Sequence, residues 1–493
     1  MLCKLSLKRL LYVLFLFSVL ISLHVLITVI NNEADVNTPR QHATLVDSVE
    51  KTTTTGKPVK KYEKILEVQN TQKTEKKNTL NTDKNNAQRT EKKNALNTEK
   101  KNVPNTEKII NAPENTIVTT TQEALNNQLP WFFRKGAKQP SKNEEQYRKI
   151  WPSQVTGQDR ITNQLMYIPE NYNEETSPTK TILLWHGLDH WVKSGRASFL
   201  EAKCPVNKCF ATDDQAQAGS ADAILFKDHF TLPNIERPPR QAWIIYLLEC
   251  PLHTERLQYN DLINWTATYR RDSDIVTPYE KWVYYDDNVK QKSTLKRNFA
   301  ANKTHLVAWF VSNCNARNGR LNYAHELQKY ISVDIFGFCG PLKCPRTQEC
   351  FQHLDKSYKF YLAFENSNCI DYITEKFFVN ALQHDVVPIV MGARPEDYAA
   401  VAPYHSYIHV DDFESPKELA EYLLKLDSDD DLYNAYFRWK ETGEFINTYF
   451  FCRLCAMLHD DYPIKSYSNL NKWWKNISTC VNTPWRKRKK PNS

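Results

Sequence analysis

Glycine is scarce in this sequence, with 11 residues in a chain of 493. No GxGxxG pattern occurs, which argues against a dinucleotide-binding turn, and no GxxxxGK pattern occurs, which argues against a P-loop. The nucleophile pattern GxSxG is also absent, and His325-Glu326 lacks the second histidine of a zinc-binding HExxH motif. These absences leave chemistry that relies on carboxylates, arginines and lysines.

One long stretch of the chain lacks charged side chains. Residues 10–30 are almost wholly apolar, and at about 1.5 Å of rise per residue they are long enough for a hydrocarbon core of about 30 Å. Basic residues precede the stretch, and Glu33 and Asp35 follow it, so the positive-inside rule predicts a cytoplasmic tail over residues 1–9. The alternative is a cleaved signal peptide, which has a shorter apolar core and a cleavage site of small residues. We predict an uncleaved transmembrane signal anchor that places the rest of the chain in the secretory lumen.

Aromatic side chains are nearly absent from residues 31–130, which are rich in Lys, Asn, Thr and Glu. An eight-residue repeat of the type TEKKNALN begins at Thr74, Thr82, Thr90, Thr98 and Thr106. Each unit has too little apolar surface to bury, so we predict a disordered lumenal stem. The net charge of +8 comes largely from the stem and from a basic tail over residues 486–490. We therefore predict no nucleic-acid partner.

The cysteines fit an oxidising compartment. Of 12 cysteines, Cys3 lies in the predicted cytoplasmic tail, and the others allow at most five lumenal disulfides with one thiol left over. Cys452 and Cys455 form a CxxC pair, for which zinc or a redox dithiol is the alternative. No second CxxC occurs, so structural disulfides are favoured. Three Asn-x-Ser/Thr sequons predict N-glycosylation at Asn264, Asn302 and Asn476.

From residue 131 onward, short apolar runs alternate with helical patterns. Strands are predicted over residues 181–185, 223–227, 243–248, 306–311, 333–337, 360–364 and 386–390. Helices are predicted over residues 322–330, 372–383, 416–426 and 432–442, with Ser415 and Glu418 forming a capping box at the third. This alternation indicates α/β domains built on parallel sheets. Residues 295–301 are a plausible seam between two of them.

The segment YKFYLAFENSNCIDYITEKFFVNAL, residues 358–382, combines a predicted strand with a predicted helix. Asp371 is expected to cap a helix that begins at Tyr372, which places Tyr372, Glu375 and Lys376 on one helical face. A helix N-terminus after a strand suits a phosphate, and these side chains suit a nucleoside, its ribose and a diphosphate. An ordinary solvated first turn explains the same residues equally well.

The same segment closely resembles the main motif of the α1,3/α1,4-fucosyltransferases. Similar blocks occur in the same order as in that family: RRDSDIVTPY (270–279), LVAWFVSNCNARNGR (306–320), YIHVDDF (407–413) and YFRW (436–439). The resemblance implies a GT-B fold, in which two Rossmann-like domains face a cleft. It assigns residues 131–300 to an N-terminal acceptor domain, 301–456 to a GDP-fucose domain, and 457–493 to a C-terminal extension and basic tail.

The resemblance also implies site residues. Glu249, in the block LLECP, is the general base, although Cys250 departs from the usual residue. The implied donor-binding residues are Ser312, Asn313, Arg320, Glu365, Asn366, Tyr372, Glu375 and Lys376. Arg320 and Lys376 would hold the diphosphate, and Glu375 the ribose. The implied disulfides are Cys204–Cys452 and Cys209–Cys455.

No metal site is assigned by the resemblance. Asp272-Ser273-Asp274 matches a DxD metal motif, but the three-residue pattern is weak. We predict no required cofactor, with a divalent ion such as Mn²⁺ as a stimulator at most.

The expected activity is inverting transfer of fucose to the innermost GlcNAc of N-glycans, by a single-pass type II protein of the Golgi membrane. The segment DRITNQLMYIP (159–169) and the cysteines after Cys339 resemble that branch of the family. The alternatives are a Lewis-type enzyme that acts on terminal lactosamine, and an inactive glycan-binding protein with the same fold.

Overall fold

The computed structural model describes residues 129–134, 139–188, 192–345, 347–462 and 465–487. The predicted cytoplasmic tail, the membrane anchor and nearly all of the stem lie outside these ranges. Within them, no helix combines the length and the apolar character needed to cross a bilayer.

The first sheet is built entirely of parallel strands. Its spatial order is β2-β1-β3-β4-β5-β6. The strands are β1 (Lys180–Leu184), β2 (Cys209–Thr212), β3 (Ala223–Lys227), β4 (Ala242–Leu247), β5 (Trp265–Thr268) and β6 (Ile275–Val276). Parallel sheets are buried on both faces, and alternate residues of β1 enter different cores: Ile182 and Leu184 one, Leu183 the other.

The second sheet is also parallel, in the order β13-β12-β10-β8-β9. Its strands are β8 (His305–Phe310), β9 (Val333–Phe336), β10 (Tyr358–Phe364), β12 (Val387–Met391) and β13 (Ile408–His409). Two small antiparallel pairs complete the strands: β7 (Lys281–Tyr284) with β14 (Gly443–Ile446), and β11 (Asn368–Cys369) with β15 (Cys480–Val481). Because β8, β10 and β12 are parallel neighbours, the loops that follow them lie along one edge of the sheet.

The helices are short and connect or cover these strands. They are α1 (Ile161–Met166), α2 (Ala197–Glu201), α3 (Arg320–Leu327), α4 (Gln348–Ser357), α5 (Glu375–Phe377), α6 (Pro395–Val401), α7 (Pro416–Asp427), α8 (Asp430–Asn434), α9 (Phe450–Leu458) and α10 (Leu470–Trp474). Helix α9 packs on one face of the first sheet, and α10 belongs to the core on the other face. The last part of the chain therefore returns to cover the first sheet.

The seven strands predicted from sequence are all present, with ends shifted by at most two residues. The sequence interpretation missed the other eight strands, β2, β5, β6, β7, β11, β13, β14 and β15, because runs of two to four residues give little periodicity. The parallel α/β class is confirmed.

Three helix predictions need correction. The predicted helix 372–383 begins instead at Glu375, with Thr374 as its N-cap, and continues as a π-helical turn over Phe378–Leu382. Asp371 cannot cap it, because its carboxylate accepts hydrogen bonds from Arg271. The predicted helix 432–442 ends early, since α8 gives way to a 3₁₀ turn before β14.

The third correction concerns the start of α7. Ser415 caps this helix as predicted and accepts a hydrogen bond from the Glu418 backbone N–H. The Glu418 carboxylate, however, accepts from the backbone N–H of Glu414 instead of Ser415. The capping box is therefore incomplete.

Five disulfides join the described cysteines. Cys204–Cys452 and Cys209–Cys455, the pairs that the resemblance implies, attach α9 to the first sheet. The other pairs are Cys314–Cys339, Cys344–Cys350 and Cys369–Cys480. Cys250 is a free, buried thiol.

One predicted glycosylation site conflicts with the fold. Asn264 is buried, and its Nδ2, the atom to which a glycan attaches, donates a hydrogen bond of 2.6 Å to the carbonyl of Lys465. Its Oδ1 accepts from the Trp243 backbone N–H at 2.8 Å. The folded chain therefore does not present Asn264, whereas the sequon residues Asn302 and Asn476 are exposed.

Candidate active site

Glu249 lies at the point where residues from both sheets meet. It follows β4, at the carboxyl end of the first sheet. Its Oε1 accepts hydrogen bonds from the Tyr372 hydroxyl at 2.8 Å and from the Asn366 amide at 3.4 Å, and both donors lie in the segment after β10. The backbone N–H of Cys250 donates to the same oxygen at 2.8 Å. The carboxylate is thus fixed by both halves of the described chain.

Hydrogen bonding keeps the Glu249 carboxylate ionised. Its partial burial alone would raise the pKa, but the donors from Cys250, Tyr372 and Asn366 outweigh that effect and hold the pKa below its usual range. All of these hydrogen bonds reach Oε1, and within the described ranges none reaches Oε2. With 45% of the side chain exposed, Oε2 is a free acceptor for a proton.

Tyr372 is a support for Glu249 in this structure and not part of an exposed helical face. It lies before α5 and is 2% exposed. Its ring contacts Tyr269 at a centroid distance of 5.1 Å and belongs to the same core as Trp474. The predicted common face of Tyr372 with Glu375 and Lys376 is therefore wrong, because the helix starts three residues later.

Glu365, directly after β10, holds the start of α5 by hydrogen bonds to Thr374, the N-cap of that helix. It is completely buried and accepts hydrogen bonds from both the backbone N–H and the hydroxyl of Thr374. Lys376 Nζ lies 3.1 Å from Glu365 Oε2 and 3.1 Å from Glu375 Oε1. Burial opposes the lysine charge, but Glu365 and Glu375 outweigh it and raise the pKa of Lys376. Lys376 is therefore a fixed cation at the mouth of the site.

Glycine is required at position 392, directly after β12. A Cβ there would lie 2.5 Å from Glu365 Cγ and 2.6 Å from Glu365 Cβ. The φ of Gly392 is 151°, a conformation that other residues rarely adopt. The Gly392 backbone therefore packs directly against the Glu365 side chain and keeps it in contact with Lys376.

Arg320 is the first residue of α3 and is 4% exposed. Its guanidinium donates to the carbonyls of Phe364 and Asn313, at 2.7 and 3.0 Å, while Nε is buried without a hydrogen-bond partner in the described part of the chain. Burial lowers its pKa and the nearby Glu365 opposes this. Ser312 and Asn313 follow β8 at the same sheet edge and are exposed.

The carboxylates of the DxD pattern are already paired with cations. Asp272 accepts two hydrogen bonds from the Arg270 guanidinium. Asp274 is fully buried, contacts the Lys465 ammonium, and accepts from Thr266 and from the Tyr467 hydroxyl. Each aspartate thus has its own set of partners, Asp274 in the core and Asp272 at the surface.

A second contact joins the loops of the two sheets and was not predicted. Arg271, in the loop after β5, donates to Asp371 at 2.8 Å and to Asp397 at 2.6 Å. Burial, and then the neighbouring Asp397, raise the pKa of Asp371 to about 6. Asp371 has φ of 59°, which turns the chain so that Tyr372 points back to Glu249. No local pattern in the sequence marks this ion-pair cluster.

Tyr279 is a further residue that the sequence interpretation missed. Its hydroxyl donates to the Leu248 carbonyl at 3.1 Å, next to Glu249. Burial, and then the charges of Glu365, Glu375 and Glu249, raise its pKa. Tyr279 is therefore close enough to the three carboxylates for their charges to act on its hydroxyl.

Comparison with known proteins agrees with this arrangement. Residues 177–280 match the family model described as "Fucosyltransferase, N-terminal", and residues 300–473 match "Glycosyltransferase family 10 (fucosyltransferase) C-term". Glycoprotein 3-alpha-L-fucosyltransferase A from Drosophila melanogaster is 57% identical over 375 residues, which cover 72% of this chain and 74% of that protein. The chain belongs to glycosyltransferase family 10. The family resemblance stated from sequence is confirmed.

Other members of the family are more distant. Alpha-(1,3)-fucosyltransferase C from Drosophila melanogaster is 33% identical over 66% of this chain and 85% of its own length. The 3-galactosyl-N-acetylglucosaminide 4-alpha-L-fucosyltransferase of Pan troglodytes is 38% identical over 61% of this chain and 81% of its own length.

Proposed function

We propose that this chain transfers L-fucose from GDP-β-L-fucose, in α1,3 linkage, to the innermost GlcNAc of N-glycans on glycoproteins. The observation that carries the proposal is the Glu249 carboxylate, ionised and held by Tyr372 and Asn366 beside the segment of Glu375 and Lys376. The proposed GT-B arrangement has the edges of the two parallel sheets on opposite sides of this site.

In the proposed reaction, Glu249 Oε2 takes the proton of the acceptor hydroxyl as its oxygen attacks the anomeric carbon of fucose. The bond from that carbon to the diphosphate oxygen breaks, and its electron pair leaves with GDP. Attack from the side opposite GDP converts the β-linked donor into an α-fucoside. A depressed pKa keeps the base ready to accept the proton at neutral and mildly acidic pH.

The donor subsite is proposed to use fixed charges. Lys376 and Arg320 supply positive charge for the diphosphate, and preorganised charge of this kind stabilises a leaving group without reorganisation. Glu375, whose side chain is 47% exposed, is proposed to accept from the ribose hydroxyls. Ser312 and Asn313 lie at the same sheet edge and are proposed to contact the nucleotide.

We also propose that no resident metal is needed, because Asp272 and Asp274 are already matched by Arg270 and Lys465. Mn²⁺ would act as a stimulator at most. Sustained transfer in EDTA, which Mn²⁺ raises at most modestly, is the expected outcome, and complete loss of transfer in EDTA would contradict the proposal. The Golgi membrane location, the type II topology and the predicted domain division remain proposals that rest on the sequence.

The choice of acceptor rests on the high identity to a protein named as a glycoprotein 3-alpha-L-fucosyltransferase. The test offers the full-length protein GDP-fucose with an N-glycan core glycopeptide and, separately, with N-acetyllactosamine. We expect transfer to the glycopeptide, with an α1,3 linkage to the Asn-linked GlcNAc by NMR. Preferential transfer to lactosamine would establish the Lewis-type alternative instead.

Glu249→Gln is the matched variant for this assay. It keeps the size of the side chain and removes the basic oxygen, so we expect no transfer. GDP binding should survive, because the donor subsite is unchanged. GDP at about 100 times its dissociation constant stabilises a protein by about 2.7 kcal/mol, which a thermal melt detects. If GDP fails to raise the melting temperature of the wild-type protein, the inactive glycan-binding alternative is favoured.

A further inference from the structure

Three different metal-ligating side chains, one of them the proposed base Glu249, lie together in the active site. Glu249, Cys250 and His253 each place a ligand atom within 4.8 Å of the other two. The Cys250 sulfur lies 3.5 Å from His253 Nδ1, and Glu249 Oε1 lies 3.5 Å from the same nitrogen. Cys250 is the one free thiol among the described cysteines.

These separations fit a tetrahedral zinc ion. Zinc lies about 2.3 Å from a thiolate sulfur and about 2.0–2.1 Å from an imidazole nitrogen or a carboxylate oxygen, which places tetrahedral ligand atoms about 3.3–3.5 Å apart. The sulfur–nitrogen pair already has such a separation, and so does the pair of Oε1 and that nitrogen. Because three donors occupy Oε1, the carboxylate would rotate to present its free oxygen, Oε2, to the ion. Three protein ligands would leave one position for water.

The loop that carries the ligands is held in place by residues at the end of α10. The Trp474 indole N–H donates to the Thr254 hydroxyl at 2.8 Å, and the Lys475 ammonium contacts the carbonyls of Pro251 and Thr254. Cys250 Sγ also lies 3.2 Å from the Ser367 hydroxyl. This hydroxyl is positioned to donate to the sulfur once the thiol loses its proton, as outer partners of metal ligands do.

An ion can reach the cluster from solvent. Cys250 forms the buried floor, whereas the side chains of Glu249 and His253 are 45% and 36% exposed. Because a thiolate favours thiophilic ions and is a poor ligand for Mg²⁺ or Mn²⁺, the ligand set also selects among divalent cations.

We propose that Glu249, Cys250 and His253 form an inhibitory site for a thiophilic divalent cation, Zn²⁺ in the first instance. Binding forms bonds from the metal to the carboxylate, the sulfur and the imidazole nitrogen, and the thiol proton passes to solvent. The metal then occupies the carboxylate that takes the acceptor proton, so transfer stops. Inhibition persists at saturating GDP-fucose, because the ion does not use the donor subsite.

The binding step is tested without reference to activity. Titration of the full-length protein with Co²⁺ is expected to produce a near-ultraviolet thiolate-to-cobalt charge-transfer band, which Zn²⁺ abolishes and an equal concentration of Mg²⁺ does not. The band should be absent in Cys250→Ser and strongly weakened in His253→Gln. His325→Gln, which changes an exposed histidine on α3, is the matched control and should retain it.

The inhibition step rests on the proposed function and is measured separately. Each variant's transfer rate is normalised to its own rate in EDTA. Since loss of an outer partner of a metal ligand already costs about 10–100-fold in affinity, Cys250→Ser and His253→Gln, which remove a ligand, should need at least about 100-fold more Zn²⁺ for half inhibition. Absence of the band in the wild-type protein, or its persistence in Cys250→Ser, would show that Cys250 serves only as a packed apolar side chain. A normal band without transfer in EDTA would instead contradict the proposed function and leave the metal site standing. Because His253 is partly exposed, His253→Gln decides the question even if Cys250→Ser misfolds.

Discussion

Tyr372→Phe removes one hydroxyl group and leaves the ring in its core position. The lost hydroxyl donates to Glu249 Oε1 at 2.8 Å, across 123 positions of sequence. A hydrogen bond to the carboxylate stabilises its charged form, so losing that bond is expected to raise the pKa of Glu249. Cys250 and Asn366 still donate to the same oxygen, so the carboxylate stays in place.

The size of the shift follows from the hydrogen bond and its surroundings. Hydrogen bonds to charged groups contribute about 1.5–3 kcal/mol, and the 45% exposure of Glu249 argues for the lower end because solvent screens the charge. Since about 1.4 kcal/mol corresponds to one pKa unit, the pKa of Glu249 should rise by about one unit. A larger fraction of the base is then protonated in acid, and the acidic limb of the pH–rate profile moves upward by about one unit.

The assay measures kcat/KM for fucosyl transfer from GDP-fucose over a series of pH values. Tyr269→Phe is the matched control, because Tyr269 packs against Tyr372 and its buried hydroxyl has no hydrogen-bond partner in the described residues. That variant should keep the wild-type acidic limb. An unmoved limb in Tyr372→Phe, or an equal movement in Tyr269→Phe, would refute the role assigned to the hydrogen bond.

Three further variants test the site around Glu365. Gly392→Ala should lower the free energy of unfolding by about 1–3 kcal/mol in chemical denaturation, because the new Cβ meets Glu365. The control Gly219→Ala, which has open space around it, should leave the free energy of unfolding unchanged. Lys376→Met leaves the buried Glu365 without its cation, at a cost of about 3–5 kcal/mol. Burial raises the pKa of Glu365, so this loss should shrink as the pH falls and the carboxyl becomes protonated; a loss independent of pH would contradict it. Glu375→Gln should raise the KM for GDP-fucose and leave the melting temperature of the free protein unchanged, and an unchanged KM would remove Glu375 from the donor subsite.

Local patterns predicted much of the framework. Runs such as β3 and β10 are mostly apolar and are bounded by polar residues, and strands buried on both faces produce that pattern regardless of their partners. The order of strands in each sheet did not follow from these patterns, because pairing depends on contacts between distant segments. Helix α9 was missed for a related reason. Its apolar residues pack against the first sheet, whose strands lie far away in sequence, so the local pattern did not indicate their partner.

The cysteines show the same division. Eleven cysteines lie between Cys204 and Cys480, so at most five disulfides can form among them with one thiol left over, and the structure has five disulfides with Cys250 free. Which cysteine would remain unpaired was not determined by counting. It depends on the fold, which places Cys250 beside Ser367 and His253 and pairs the other two cysteines of that core, Cys369 and Cys480, with each other.

The sequence by itself determined the class of fold, the family, and the residue types available to the site, because each depends on local pattern or on ordered motifs. Only the tertiary structure decided what these residues do to one another. It moved Tyr372 from a helical face to a hydrogen bond with Glu249, buried the sequon residue Asn264 against the carbonyl of Lys465, and placed Glu365 in contact with Lys376. Hydrogen bonds, burial and pKa shifts arise between groups that the chain brings together from distant positions, and one-dimensional spacing does not encode those distances.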